Sequence, residues 1–397
     1  MKITNVHWTP VFIPIEAPLR YAYGSHPGVS RLVIEIETDE GLTGLGECYS
    51  GPSREGQLAE MKPLLIGEDP FQLERLRWKL SSPSAQKLFG NVLGYAGVEF
   101  ACLDLQGKAT GQPVCNLLGG RLRESVPHAG YLFYRHANAE GKGRISNTEE
   151  MVAFAKELVK RHGFETLKYK NGVLPPEEEI ETFIALRETF PRHKLRLDPN
   201  AAWSVTTAVR VAQKLAPHDV EYYEDPVWGL RAMERVNAKV PFMTLASNMS
   251  IFAFEDIYPA ARNNVLDVVL LDPHWYGGIA RARIAAGACE MLGLDVGLHS
   301  GGEFGISQAA ALHLLASIPN LSAAADSHYH HLTDDIIVGG KMKFADGGLP
   351  VPTGPGLGVE LDRDKLAKYS EMARRQEMGS WIEDPMRPGV VTVQPKW

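Results

Sequence analysis

The chain opens on alternation. Between Arg31 and Thr38, Leu32, Ile34 and Ile36 fall on one face and Glu35 and Glu37 on the other, the period of a half-buried strand. Residues 2–13 alternate more loosely, and Asp39-Glu40-Gly41 supplies a hairpin turn before a short strand at 43–47. Together these segments predict a β-meander. The polar, aromatic stretch from Arg20 to Gly28 is predicted as a loop between the first two strands, long for a hairpin and therefore a candidate functional element. Residues 55–118 switch to a helical pattern. From Gly94 to Lys108 it is apolar at Val98, Phe100, Ala101, Leu103 and Leu105, with Gly119-Gly120 as its expected stop.

From about residue 126 a new rhythm sets in. Short β-rich runs occur near 127–134, 164–170, 194–198, 220–224, 242–246, 266–271, 295–299 and 321–325, most of them spaced as one βα unit each. Helical patterns fill the gaps. Asn147 is placed to cap one helix, Pro175-Pro176 to open the next, and Ser204 to cap a third with Val205, Ala208, Val209, Ala212 and Leu215 as its apolar stripe. Eight strands alternating with helices predict an α/β fold: a (β/α)8-type TIM barrel, with a doubly wound open sheet as the rival because βα units alone do not reveal closure. A Gly/Pro-rich stretch follows residue 332, then a strand-like run from Gly356 to Leu361 and a loop-rich end from Arg375 to Trp397. The expected organisation is an α+β capping domain (1–125), the barrel (126–335) and a C-terminal segment returning to the cap (336–397).

Composition narrows the class. The 397 residues are 44% apolar and 22% charged, an ordinary globular mix, with a net charge of -7 and no basic block. That argues against nucleic acid or an anionic membrane as partner. No apolar run approaches the ~18 residues that would span a bilayer, and the first residues lack a signal-peptide core. The four cysteines, Cys48, Cys102, Cys115 and Cys289, have no metal-ligand spacing and read as reduced, buried thiols of a cytoplasmic protein.

In a barrel, chemistry sits at the C-terminal strand ends. The second strand ends Lys168-Tyr169-Lys170, and period two puts both lysines on one face. Desolvation and mutual repulsion should lower an ammonium pKa there and make one lysine a usable base, unless the two form a solvated edge pair. Strands three, four and five end with Asp198, Glu224 and Asn248, at intervals of 26 and 24 residues. Hard oxygen donors from three successive strand ends suit Mg²⁺; the alternative is that each merely caps the following helix. Strands six and seven end with Asp272 and His299, neighbours that could pair so that the carboxylate fixes the imidazole tautomer. A metal flanked by a lysine base and a His–Asp acid/base suits abstraction of a proton α to a carboxylate. The tract Ser327-His328-Tyr329-His330-His331 reads as a loop after strand eight rather than a Ni or Zn site. Gly44-Leu45-Gly46 lacks the following helix of a phosphate loop, and Ser300 lacks the glycines of a nucleophile elbow.

These residues resemble the enolase superfamily, within it the mandelate racemase-like acid-sugar dehydratases, and most strongly the glucarate dehydratase subgroup. The matching pieces are Lys168-Tyr169-Lys170, Leu195 to Asn200, Glu224-Asp225-Pro226, Asn248-Met249, Asp272-Pro273-His274, His299-Ser300, Asp326-Ser327-His328 and Gly354 to Asp362. Asn248 is the subgroup marker. The resemblance implies an enolase-like cap and barrel, possibly in the (β/α)7β form, and a homo-oligomer. It implies Mg²⁺ on Asp198, Glu224 and Asn248, Lys170 as the α-proton base with Lys168 as its electrostatic partner, and His299 paired with Asp272 as the acid for a departing β-hydroxyl. The product would be a 2-keto-3-deoxy acid made from a sugar acid, an aldarate or aldonate. Racemisation, epimerisation or cycloisomerisation through the same enolate is the alternative outcome. Carried-over substrate contacts are His26, Tyr131, Asn200, Ser300, His328 and Arg387. One departure stands out: the subgroup carries two asparagines after the His-Ser pair, where this chain has Gly301-Gly302 with Glu303 as the candidate replacement.

Overall fold

The alternating segments pair into an antiparallel sheet in the computed structural model, which describes residues 1–80, 92–375, 383–386 and 394–397. Its strands are β1 (Ile3–Tyr21), β2 (Gly24–Thr38) and β3 (Thr43–Tyr49), in that order. The stretch expected as a loop is mostly ladder: Leu19 pairs with His26 and Tyr21 with Gly24, leaving only Ala22-Tyr23 as the turn. The register instead breaks between Pro14 and Leu19, where Pro14 and Pro18 bring no N–H to the ladder. Leu32, Ile34 and Ile36 pack with Leu58, Met61, Leu65, Val98 and Leu105, while Val33 on the opposite face joins the main core.

The helices Pro52–Leu65, Leu73–Leu80 and Val92–Thr110 cover this sheet. The third is buried on all sides, and Gly44 and Gly46 let β3 lie directly on it. A Cβ at Gly46 would sit 1.9 Å from the Gly97 carbonyl oxygen, so these glycines serve close packing. The helix stops earlier than expected, at Thr110, where Gly111 takes φ +68°. Gly119 follows a separate short turn, Val114–Leu117.

The rest is built of βα units. After β4 (Ser125–Pro127) come β5 (Ala129–Leu132), β6 (Thr166–Lys170), β7 (Lys194–Asp198), β8 (Val220–Glu224), β9 (Leu245–Ser247), β10 (Val268–Leu271) and β11 (Asp295–Leu298). The last seven form one curled parallel sheet, each paired with the next. The eighth expected run is an extended segment rather than a strand, and it bonds both edges. Ser322 and Asp326 N–H donate to the Val296 and Leu298 carbonyls (3.1 and 3.2 Å), while Ala325 N–H donates to the Pro127 carbonyl (2.8 Å) and the Ala325 carbonyl accepts from Ala129 N–H (2.9 Å). Tyr222, Ala246, Val268, Leu270 and Ala323 form a separate buried cluster of alternate residues on these strands. Asn147 and Ser204 cap their helices through their side chains, and Pro175 precedes the helix at Pro176, as the sequence indicates.

Two C-terminal expectations are corrected. Gly356 to Leu361 forms isolated bridges rather than a strand, because Gly356 and Gly358 take φ +71° and +69°. A helix that the pattern did not flag, Arg363–Arg375, packs on β1. Before that helix, β12 (Gly348–Pro350) pairs antiparallel with β4. All four cysteines are buried and free. Among the described residues no helix is long and apolar enough to cross a membrane.

Candidate active site

Alternation along each barrel strand carries one side chain inward at its C-terminal end. Lys168 and Lys170 lie on β6, Asp198 ends β7, Glu224 ends β8, Asn248 follows β9, Asp272 follows β10 and His299 follows β11. The structure brings them together in two clusters.

The first is a chain of alternating charges. Lys170 Nζ donates to Asp198 Oδ2. Lys168 Nζ donates to Glu224 Oε2 and to Asp326 Oδ2 (2.6 Å), and lies 3.3 Å from Asp198 Oδ2. Asp326 also accepts from Arg196 Nη1 (3.1 Å), and Arg196 Nε donates to Glu221 (2.5 Å). The expected loss of a proton by repulsion between the lysines is not seen at Lys168. Burial pulls its ammonium down, but the carboxylates of Asp326, Glu224 and Asp198 hold it well above the ordinary lysine value. Asp198 is pushed up by burial yet held below the usual carboxylate range by Lys170 and Lys168. Glu224 is driven well up by burial and by the charge of Asp198.

The loops beneath this cluster are strained. Asn200, Ala201 and Asp225 take φ of 48°, 59° and 36°, conformations that cost non-glycine residues about 1–3 kcal/mol each. Hydrogen bonds hold them: Asn200 N–H donates to Asp198 Oδ1 (2.9 Å) and Ala201 N–H to the Asp225 carbonyl (2.7 Å). The buried Asp225 carboxylate accepts from Ser247 Oγ (2.5 Å) and from the backbone of Asn248 and Met249 (2.9 and 3.0 Å). Asn248, with its amide nitrogen turned toward them, donates to Glu224 Oε1 (3.3 Å) and Asp225 Oδ2 (3.0 Å).

Does this site fit a divalent cation? Among the described residues no three His, Cys, Asp or Glu side chains converge as a metal group. The oxygen donors available are the two carboxylates and, once its amide turns its oxygen inward, Asn248. One feature favours a cation. The Asn200 side-chain oxygen beside Asp198 is buried without a hydrogen-bond partner among the described residues. The residues present therefore fit a hard, oxygen-liganded ion.

The second cluster is built with the cap. His299 Nδ1–H donates to Asp272 Oδ2 (3.0 Å), so the two pair as the sequence suggests. Tyr49 Oη, from the end of β3, donates to the same oxygen (3.2 Å). His274 holds the other through its backbone N–H (2.8 Å) and Nδ1 (3.0 Å). His274 and His299 overcome burial and keep the Asp272 carboxyl far below its ordinary value. Ser300 Oγ donates to Glu303 Oε2 (2.6 Å) and hydrogen-bonds His328 Nδ1 (2.8 Å); Tyr21 Oη reaches His328 Nε2 (2.9 Å). Burial keeps His328 neutral. Glu303 accepts from Gly301 N–H (2.8 Å) and faces Arg31.

The other predicted contacts are nearby. Tyr131 on β5 lies under Lys168 Nζ, 5.1 Å from its ring centre, and meets His328 edge-on. His26 on β2 is buried beside Tyr21, its imidazole pushed down to about 3 by burial and by Arg31. Arg387 lies outside the described residues. Sequence reasoning gave no role to Asp326, Asp225 or His274, although all three stand in the motifs quoted above. Tyr49 carries no motif at all.

An enolase-type barrel with lysines, carboxylates and a His–Asp pair at its mouth defines the class. The chain belongs to the enolase superfamily and is an enzyme of its mandelate racemase and muconate lactonizing enzyme family. The N-terminal domain model of that family matches residues 3–119, and the enolase C-terminal domain-like model matches residues 150–365. The chain is 40% identical to a protein of Streptomyces coelicolor named probable glucarate dehydratase, over 92% of this chain and 90% of that one. It is 28% identical to D-galactarolactone cycloisomerase of Agrobacterium fabrum, over 93% and 99%. An enolase of Pseudomonas fluorescens solved with bound magnesium, potassium and tartrate superposes with a TM-score of 0.93 at 33% identity, covering 100% of this chain and 99% of that one.

Proposed function

We propose that this enzyme is a Mg²⁺-dependent acid-sugar dehydratase. Asp198, Glu224 and Asn248 would hold the metal. When bound, Mg²⁺ supplies positive charge against the substrate carboxylate as its α-carbon ionises. The observation that carries the reading is the His299–Asp272 pair set across the mouth from Lys170. Counting the 321–326 segment, two strand positions separate β6 from β11 one way and four the other. Lys170 takes the α-proton. Lys168, kept charged by its carboxylates, faces the substrate carboxylate. His299, oriented through Nδ1, gives its Nε2 proton to the departing β-hydroxyl, which leaves as water. The resulting enol tautomerises to the 2-keto-3-deoxy acid. The polar groups of His26, Tyr131, Asn200, Ser300 and His328 suit a polyhydroxy chain. The names of the Streptomyces relative and of the tartrate-bound structure support an acid-sugar substrate, and we propose that the chain works as a cytoplasmic homo-oligomer.

The second reading is epimerisation or cycloisomerisation, supported by the cycloisomerase relative and by the same two-sided geometry. Incubation of the enzyme with Mg²⁺ and a panel of C4 to C6 mono- and diacid sugars in D₂O separates them. Keto-acid formation is expected. Solvent deuterium at an inverted centre without keto acid would replace dehydration by the second reading.

A further inference from the structure

We propose that Tyr49, a cap residue, is a positioning residue for the His299–Asp272 pair, locked in place by the glycine at 301. Tyr49 lies at the end of β3, outside the barrel, yet its hydroxyl donates to the Asp272 oxygen that also accepts from His299 Nδ1. Its ring is gripped from both sides. The Arg31 guanidinium stacks over it at 3.9 Å, and Trp275 and His274 pack against it at 5.9 and 5.2 Å. Opposite lies Gly301. A Cβ there would stand 2.0 Å from Tyr49 Oη and 2.8 Å from its Cζ. No side chain at 301 can coexist with this phenol, so the space is filled from the cap instead. Glu303 does not fill it, because its carboxylate is turned to Ser300, Gly301 N–H and Arg31.

The consequence is a tuned proton donor. A hydroxyl donating to Asp272 Oδ2 draws charge from the oxygen that supports His299. Without it, Asp272 stabilises the imidazolium more strongly and His299 holds its proton to higher pH. The ionisable groups around the pair are His274 from the barrel, Tyr49 and Arg31 from the cap, Glu303 and His328; of these, Tyr49→Phe removes one hydroxyl and leaves the ring.

The role for His299 in catalysis rests on the dehydratase reading, so the test reads His299 directly. In protein labelled with ¹⁵N-histidine, the resonance lost in His299→Gln identifies its ring. Its titration midpoint is expected to rise by about half a pH unit in Tyr49→Phe, the scale of one modest hydrogen bond to a charged group. Gly301→Ala, which displaces the phenol, should raise it likewise, and the double variant should add nothing further. An unchanged midpoint in Tyr49→Phe, or full additivity in the double variant, overturns the proposal. If the acid-sugar panel also gives turnover, the alkaline limb of the kcat profile should move with the NMR midpoint. Absence of turnover on every acid sugar would sink the dehydratase reading while leaving the NMR result to decide this one.

Discussion

The two halves of the barrel mouth are built on different principles. The ion pairs of the lysine side lie within the barrel: Lys170, Asp198, Lys168, Glu224 and Arg196 from β6 to β8, with Asp326 from the closing segment, form one buried chain. The histidine side is a composite, in which Asp272 and His299 come from the barrel and Tyr49 and Arg31 from the cap. Every group on the first side has an opposite partner. On the second, several donors share one carboxylate. A buried ion-pair chain is costly to break, since removing one member strands another. A shared carboxylate can be tuned in small steps.

The largest expected effect is on turnover. On the dehydratase reading, Lys170→Ala removes the base and should lower kcat about 10²- to 10⁴-fold, the usual range for a general base. It should also abolish exchange of the α-proton with D₂O. His299→Gln should cost less, because the lysine side remains intact: keto-acid formation falls while α-proton exchange persists. The two rates are read together by NMR. Equal loss of exchange in both variants would erase the division of labour between the sides.

Next comes stability. Asp326 anchors Lys168 and Arg196, all three buried. Asp326→Ala should destabilise by about 3–5 kcal/mol, the cost of uncompensated buried charge, seen as a lower urea midpoint. Tyr49→Phe, on the other side, should move that midpoint little, since it removes one shared donor at 3.2 Å. Comparable losses would mean that the cap contact is structural and the two sides are alike.

The lysine side was the more legible in sequence. Period-two spacing placed Lys168 and Lys170 together, and successive strand ends gathered Asp198, Glu224 and Asn248. Strand alternation is a local rule, and the barrel turns it into a site. What escaped was set by tertiary contact. Asp326 looks like any strand-end acid until Arg196 and Lys168 close on it. The reversed φ of Ala201 has no signature in residue type, and Asn200 and Asp225 carry only the general tolerance of Asn and Asp for that region. The charge of Lys168 was misjudged because its carboxylate partners, not its lysine neighbour, dominate. Tyr49 was invisible because its partner, Gly301, is 252 positions away, and a glycine advertises nothing about what fills its missing side chain. The Arg20–Gly28 segment was read as a loop for its polarity, although its backbone pairs almost to the tip.

A pH-dependent effect concerns how the cap is joined to the histidine side. Glu99, on the cap helix Val92–Thr110, accepts from Ile279 and Ala280 N–H (3.0 and 2.9 Å) at the start of the barrel helix Ile279–Met291. Its carboxyl presses on Gly278, where a Cβ would lie 2.5 Å from Glu99 Cδ. Burial, only partly offset by the two N–H donors, raises Glu99 from 4.5 to about 7. The folded protein therefore keeps a proton that the unfolded chain releases between about pH 4.5 and 7. Stability from this group is present below that window and is lost as pH rises through it, by at most about 3.5 kcal/mol at roughly 1.4 kcal/mol per pH unit. Glu99→Gln removes the titration. The urea midpoint of the native protein relative to Glu99→Gln should thus fall between pH 5 and pH 8. A relative midpoint that rises instead would mean that the ionised carboxylate, held by the helix N–H groups, is the better joint between cap and barrel.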